Sequence, residues 1–207
     1  QMLANLAIFA GIRRNIAQMP DNERAVLTEL LLLMDTYDLY GKMAIPKHHD
    51  SRYEVPELYR AAARSRGVFV NPAFTEPFGL TLLEAGASGL PIVATDNGGP
   101  REIVENCHHG VLVDVTQPAR IAATLRELLV DEDRWRTYSQ NGVRHVRECY
   151  TWERHCNAFL ERVHRLPEAP EKNDLLISQE PRSVGDRMTR VGRLFITDID
   201  GTLLGND

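Results

Sequence analysis

Glu76 and Glu84 stand with seven residues between them in the stretch Asn71 to Gly89, NPAFTEPFGLTLLEAGASG. A short apolar run, Val68-Phe69-Val70, leads into it. Pro72 and Pro77 break up a loop, and helix-forming residues run from Leu80 to Gly89. Strand, irregular loop and helix in that order place a helix N-terminus at the C-terminal edge of a parallel sheet. The open N–H groups there and the positive end of the helix dipole favour an anion, and a phosphate is the natural occupant. Neither carboxylate binds that phosphate, because like charges repel. They suit neutral hydroxyl groups on either side of it, a sugar and a ribose. The pattern fits a clamp for a nucleotide sugar. Taken alone, two glutamates at this spacing also fit a solvated loop residue and a first-turn Glu favoured by the dipole.

Three further groups of residues could do chemistry. Asp96-Asn97-Gly98-Gly99-Pro100 follows an apolar run and makes a tight strand-to-helix turn, with Pro at a helix start. One unit after the clamp, it faces the same crevice in a doubly wound sheet, so Gly98 and Gly99 are candidate contacts for the sugar. Pro46-Lys47-His48-His49 is a strand-end loop with a basic residue and two imidazoles, which taken alone fits a solvated loop. Two adjacent histidines rarely form a metal pair without further ligands. Near the C-terminus, RLFITDIDGTLLGND is an apolar strand ending in Asp-x-Asp-Gly-Thr, which projects Asp198 and Asp200 to one side.

The elements that must position these groups read as α/β. Leu6 to Gly11 reads as a short buried strand ending at a glycine, and apolar residues at Val26, Leu27, Leu30, Leu31 and Met34 follow helical spacing behind an expected N-cap at Asp21. The dense patch Leu30–Met34 reads as a buried helix face. Further strands are expected over Met43–Ile45, Val68–Val70, Pro91–Thr95 and Gly110–Val113. Helices are expected from Val55, from Leu80, from Pro100, over Pro118–Val130, over Asp131–Cys149 and from Thr151 to about Leu166, with Trp152 in the core. Residues 167–192 are rich in Pro, Ser and charge without periodicity and read as a linker.

Composition narrows the class. The chain has 207 residues, 43% of them apolar, which suffices for a core, and no run of 18 apolar residues suggests a membrane span. A net charge of −5 with both signs mixed gives no sign of nucleic-acid binding. Cys107, Cys149 and Cys156 lack zinc or redox spacing and read as free thiols in a reducing compartment, which points to the cytoplasm.

The segment EPFGLTLLEA, with GLPIVATDNGGPREIV after it, resembles the donor-binding signature of retaining GT-B glycosyltransferases, in the sucrose-phosphate synthase branch. PKHH, followed by VPELYR, resembles that branch's segment near the nucleotide base, which implies that Lys47 and His48 line the donor pocket. The resemblance implies a Rossmann-like doubly wound parallel sheet over residues 1–166, forming the C-terminal lobe of the GT-B fold. The implied reaction joins UDP-glucose and fructose 6-phosphate to give sucrose 6-phosphate and UDP, with no cofactor for the transfer. Glu76 would hold hydroxyls of the transferred glucose, Phe78 and Gly79 would offer backbone N–H groups, Leu80 and Thr81 would cap the diphosphate, and Glu84 would hold the ribose diol. Residues 193–207 resemble the first motif of haloacid-dehalogenase-like phosphatases, in which the residues matching Asp198 and Asp200 act beside Mg²⁺. The family's later motifs are absent, so this segment reads as the truncated start of that domain.

The resemblance further implies that the chain is a fragment. The Arg and Lys that grip the diphosphate and the acceptor-binding lobe would lie outside it, and Arg13 and Arg14 are not that pair. The chain alone is therefore expected to lack transferase activity. The clamp reads the donor and not the acceptor, so sucrose synthase and other retaining transferases remain open, as does a non-catalytic UDP-sugar-binding module.

Overall fold

A computed structural model describes residues 4–10, 15–47 and 50–165. The chain divides into two compact units, Gln1–His155 and Cys156–Asp207. Residues 166–207, which include the expected linker and the Asp198–Asp200 motif, lie outside the described residues, as do Gly11, Arg13, Arg14, His48 and His49.

The first unit opens with β1 (Leu6–Ala7), a 3-10 turn at Ile16–Gln18, α1 (Asp21–Thr36) and β2 (Met43–Ala44). β1 and β2 pair in parallel, Leu6 opposite Met43. β1 is shorter than the expected Leu6–Gly11 and is exposed, not buried, because a two-stranded ladder gives its side chains little to pack against. Asp21 is the first helical residue, with Pro20 at the cap position, so it is not the expected N-cap. Its carboxylate instead binds the Arg24 guanidinium. The expectation of a buried face at Leu30–Met34 is corrected as well. Among the α1 residues only Leu27 is buried, and Leu32 is 63% exposed. The reason is geometric: at 3.6 residues per turn, four consecutive leucines are spread around most of the helix circumference and cannot share one face.

The second sheet carries the site. β3 (Phe69–Asn71), β4 (Ile92–Thr95) and β5 (Gly110–Val113) lie in that order, all parallel, with Val70 opposite Val93 and Val93 opposite Val111. β2 and β3 share no ladder, so the parallel strands fall into two sheets. Pro46 follows β2 and has no N–H to extend it. The central strand β4 is buried along its whole length. Its alternation divides the core: Ile92 and Ala94 pack with Leu82, Leu83, Ile103 and Cys107 on one face, while Val93 packs with Val113 and Leu128 on the other. The sheet is therefore covered on both faces, as a doubly wound sheet requires. Burying each large side chain of this kind contributes roughly 1.5–3 kcal/mol.

The covering helices are α2 (Glu54–Arg64), α3 (Leu80–Ala87), α4 (Pro100–Cys107), α5 (Pro118–Val130) and α6 (Glu132–Cys149). α4 and α5 begin on prolines, whose fixed φ suits the first helical position. The Asp131 carboxylate caps α6 by accepting from the Arg134 N–H at 2.9 Å. The indole N–H of Trp135 donates to the Gly67 carbonyl at 2.8 Å and ties α6 to the turn before β3.

α3 and α6 meet at two glycines. A Cβ on Gly142 would lie 2.8 Å from the Gly86 carbonyl oxygen, and one on Gly86 would lie 2.6 Å from the His109 ring. A glycine inside a helix costs about 1 kcal/mol against alanine, and this contact explains its presence in α3. His109 is fully buried. Its Nε2 donates to the Leu82 carbonyl at 3.3 Å, and its Nδ1 has no partner among the described residues. Burial pushes the imidazole pKa down to about 4.

The last helix, α7 (Trp152–His164), is capped by Thr151, whose hydroxyl accepts from the Arg154 N–H at 3.3 Å. The placement of Trp152 in the core is corrected: it is 76% exposed. It sits on the first turn of a helix with no buried residue, edge-on to the His155 ring at 5.9 Å.

Candidate functional site

β3 ends at Asn71, and the chain leaves the sheet through a tightly bonded loop. The Asn71 Oδ1 accepts from the Ala73 N–H at 3.0 Å, while its Nδ2 donates to Glu76 Oε2 at 3.1 Å. The other carboxylate oxygen, Oε1, accepts from the Phe78 N–H at 3.3 Å. Glu76 is thus half-buried with both oxygens held. The Phe78 amide, expected to reach a sugar oxygen, is engaged by this carboxylate.

The turn after β4 is the seat of that loop. Glu76 donates its N–H to the Asn97 carbonyl at 3.1 Å, and its own carbonyl accepts from the Gly99 N–H at 2.9 Å. Glu76 and Gly98 form a parallel bridge. The Asn97 side-chain amide donates to the Phe74 carbonyl at 3.0 Å and to the Thr75 hydroxyl at 2.9 Å. The two loops approach so closely that a Cβ on Gly98 would lie 2.2 Å from the Glu76 carbonyl oxygen, and one on Gly99 2.3 Å from that of Phe78. Gly98 also has a φ of +107°, which disfavours any side chain. The glycine pair serves backbone contact between the loops, and the Gly99 amide is already bonded to Glu76.

Gly79 turns the loop into α3 with a φ of +104°. It has no side chain to cap the helix, and the amides of Leu80 and Thr81, the first two of α3, have no side-chain cap. Leu80 is 63% exposed, so its apolar side chain stands clear of the core. Glu84 follows one turn along α3 with its side chain at the surface. Neighbouring protein atoms still remove part of the carboxylate's hydration, and this desolvation raises its pKa above the ordinary value. Tyr59 of α2 lies nearby: its hydroxyl is pushed up to about 12 by burial and, secondarily, by the Glu84 charge. The Tyr59 ring stands edge-on to Phe69 at 5.5 Å.

Glu76, Phe78, Gly79, Leu80, Thr81, Gly98 and Gly99 are therefore brought together around one helix N-terminus, with Glu84 a turn away. Lys47 is exposed beyond β2, in the other sheet, and none of the bonds described here ties it to the clamp. His48, Asp198 and Asp200 lie outside the described residues. Asn71 and Asn97 did not figure among the sequence candidates. The Asn71-Pro72 and Asn97-Gly98 dipeptides mark turns, and that was the available signal. Among the described residues no helix is long and apolar enough to cross a membrane.

The arrangement can hold a diphosphate at the α3 amides, with a hydroxyl-bearing group at each carboxylate. Known proteins with the same features bear on that chemistry. Residues 23–145 match the family "Glycosyl transferases group 1". The chain is 49% identical over 161 residues to the sucrose-phosphate synthase of Zea mays, covering 78% of this chain and 15% of that protein. It is 41% identical over 207 residues to sucrose-phosphate synthase 4 of Arabidopsis thaliana, covering 98% of this chain and 20% of that protein. The chain thus spans a fifth or less of the length of these relatives. A sucrose-phosphate synthase structure from Thermosynechococcus elongatus superposes with a TM-score of 0.61 at 27% identity, over 77% of this chain and 38% of that one. The Anabaena HepE structure in complex with UDP-glucose shares the fold, with a TM-score of 0.61 at 19% identity over 79% of this chain and 49% of that one. The family match takes in both loops of the clamp and more than half of the sequence, and the chain belongs to the glycosyl transferases group 1 family.

Proposed function

We propose that this chain is the donor-binding lobe of a retaining sucrose-phosphate synthase, which moves glucose from UDP-glucose to fructose 6-phosphate. The observation that carries the reading is the held Glu76 carboxylate beside the uncapped amides of α3, with Glu84 one turn further on. Similarity to sucrose-phosphate synthases over most of the chain supports the choice of substrates.

In this reading Leu80 and Thr81 present N–H groups to the diphosphate, and Glu84 accepts from the ribose hydroxyls. Glu76 accepts from hydroxyls of the glucose, oriented by the loop that β4 and its turn support. The bond from the anomeric carbon to the diphosphate oxygen breaks as the bond to the acceptor oxygen forms on the same face. The acceptor's proton passes to the departing diphosphate oxygen. The protein's contribution is alignment and stabilisation of developing negative charge by fixed N–H dipoles. The transfer so drawn uses no metal. The acceptor site and the basic residues that complete the diphosphate site are assigned to parts of the enzyme outside this sequence. Asp198 and Asp200 are assigned to a phosphatase-type segment that takes Mg²⁺ when complete, and the free thiols fit a cytoplasmic enzyme.

Calorimetric titration of the chain with UDP and with UDP-glucose tests the reading. Saturable binding is expected, weakened about 10-fold or more in Glu84→Ala, the usual scale for a lost hydrogen bond to a charged group. Because the Glu84 carboxyl is raised and the ionised form is the acceptor, affinity for UDP should fall on acidification sooner than an ordinary glutamate would dictate. Glu84→Gln should flatten that fall. A folded chain that binds neither nucleotide, or a Glu84→Ala variant that binds as well as the parent, would overturn the reading.

A further inference from the structure

We infer that Asn71 is a positioning residue: it sets the Glu76 carboxylate for the sugar, and so governs recognition of the glucosyl group and not of the nucleotide. The inference rests on the donor-site reading above. An ionised carboxylate offers about four lone-pair sites over its two oxygens. Two are occupied here, one on Oε2 by the Asn71 side-chain amide and one on Oε1 by the Phe78 N–H, which leaves acceptor capacity on each oxygen for hydroxyl groups.

The orientation of Asn71 is fixed from both ends. Its oxygen accepts from the Ala73 N–H and its nitrogen faces the carboxylate. The flipped amide would set oxygen against oxygen and N–H against N–H. Glu76 reaches the site on a flexible side chain, and the Asn71 amide restrains one carboxylate oxygen while the Phe78 N–H restrains the other. The other half of the site does not involve Asn71, since the nucleotide is assigned to the α3 amides and Glu84.

Asn71→Asp isolates the contact. Asp keeps an acceptor for the Ala73 N–H and so keeps the turn, but it replaces the donor with a charge that repels Glu76. A residue that served the turn alone would tolerate the change. Titration of Asn71→Asp is expected to show UDP-glucose binding weakened ~10-fold with UDP binding altered less than about 2-fold, as follows for a charge-assisted bond lost at the sugar only. In a Glu76→Ala background the same change should have little further effect, because the pair acts as one unit. Equal loss of both ligands, or full loss in the Glu76→Ala background, would overturn the inference.

A ligand-free measurement separates this inference from the reading it rests on. In the ¹⁵N–¹H spectrum of the unliganded chain, Asn71→Asp should displace the Phe78 amide resonance, and should displace it much less in a Glu76→Ala background, because the Phe78 N–H and the Asn71 amide bond the two oxygens of the same Glu76 carboxylate. If the parent chain binds neither nucleotide, the donor-site reading fails, and a displaced Phe78 signal still establishes that Asn71 orients Glu76. A Phe78 signal that stays in place would sink the positioning role whatever the titrations give.

Discussion

Two of the strand–helix–strand units among the described residues, β1–α1–β2 and β3–α3–β4, each join parallel strands and differ sharply in burial. α1 has five leucines and buries one residue, Leu27. α3 has three leucines in half the length and buries Leu82, Leu83, Ala85 and Gly86. Leucine content therefore does not decide burial. β4 has a strand on each side and apolar clusters on both faces, so the inward-facing residues of the helices beside it have something to pack against. β1 and β2 offer two residues each. The unit with the candidate site is the one whose helix is fixed from several directions, which is what a geometry-dependent site requires.

The contrast breaks or holds first under truncation. Ile92→Ala should destabilise the chain by about 2–5 kcal/mol, since Ile92 is fully buried in the central strand. Leu32→Ala should change stability by no more than about 0.5 kcal/mol. Urea unfolding of the two variants checks both, and similar losses would mean that the two units are equally packed.

Acid should act next, at the buried His109 beside α3. His109 is held neutral, with a pKa of about 4 against an ordinary 6.5, and His145 contributes to the lowering behind the dominant effect of burial. The unfolded chain takes up the proton first, so the stabilisation is complete above pH 6.5 and is lost as pH falls towards 4. The loss is on the order of 3 kcal/mol at 1.36 kcal/mol per pKa unit. His109→Gln, which keeps a donor for the Leu82 carbonyl, should flatten that slope in thermal melts across this range.

The smallest effects concern the two tryptophans. Trp135→Phe removes the bond to Gly67 and should cost about 1 kcal/mol. Trp152→Ala, at an exposed position, should stay within about 0.5 kcal/mol. Acrylamide should quench Trp152 more readily than Trp135.

Much of this was legible in the sequence where local chemistry decides. β5 and α5 fall on the expected residues, because an apolar run bounded by turn residues and a proline at the first helical position need no distant partner. The clamp stretch gave its loop, helix start and paired glutamates. What could not be read depends on which residues meet across the fold. Trp152 resembles a core residue by type, and only the absence of packing partners exposes it. Asn97 is one more polar residue in a turn until its bonds to Phe74 and Thr75, more than twenty positions back, are known. Gly99 reads as an open amide until Glu76 is seen to occupy it.

The meeting of Gly86 with Gly142 has a mechanical consequence. Where two helices touch through side chains, a small displacement of one can be absorbed by rotamer changes in the other. Here main chain lies against main chain, with the His109 ring wedged alongside. A side chain at either glycine would force the two helices apart, so their spacing is set by the backbone itself. The seat of α3, and of the amides at its head, thus depends on a helix more than fifty residues further along the chain.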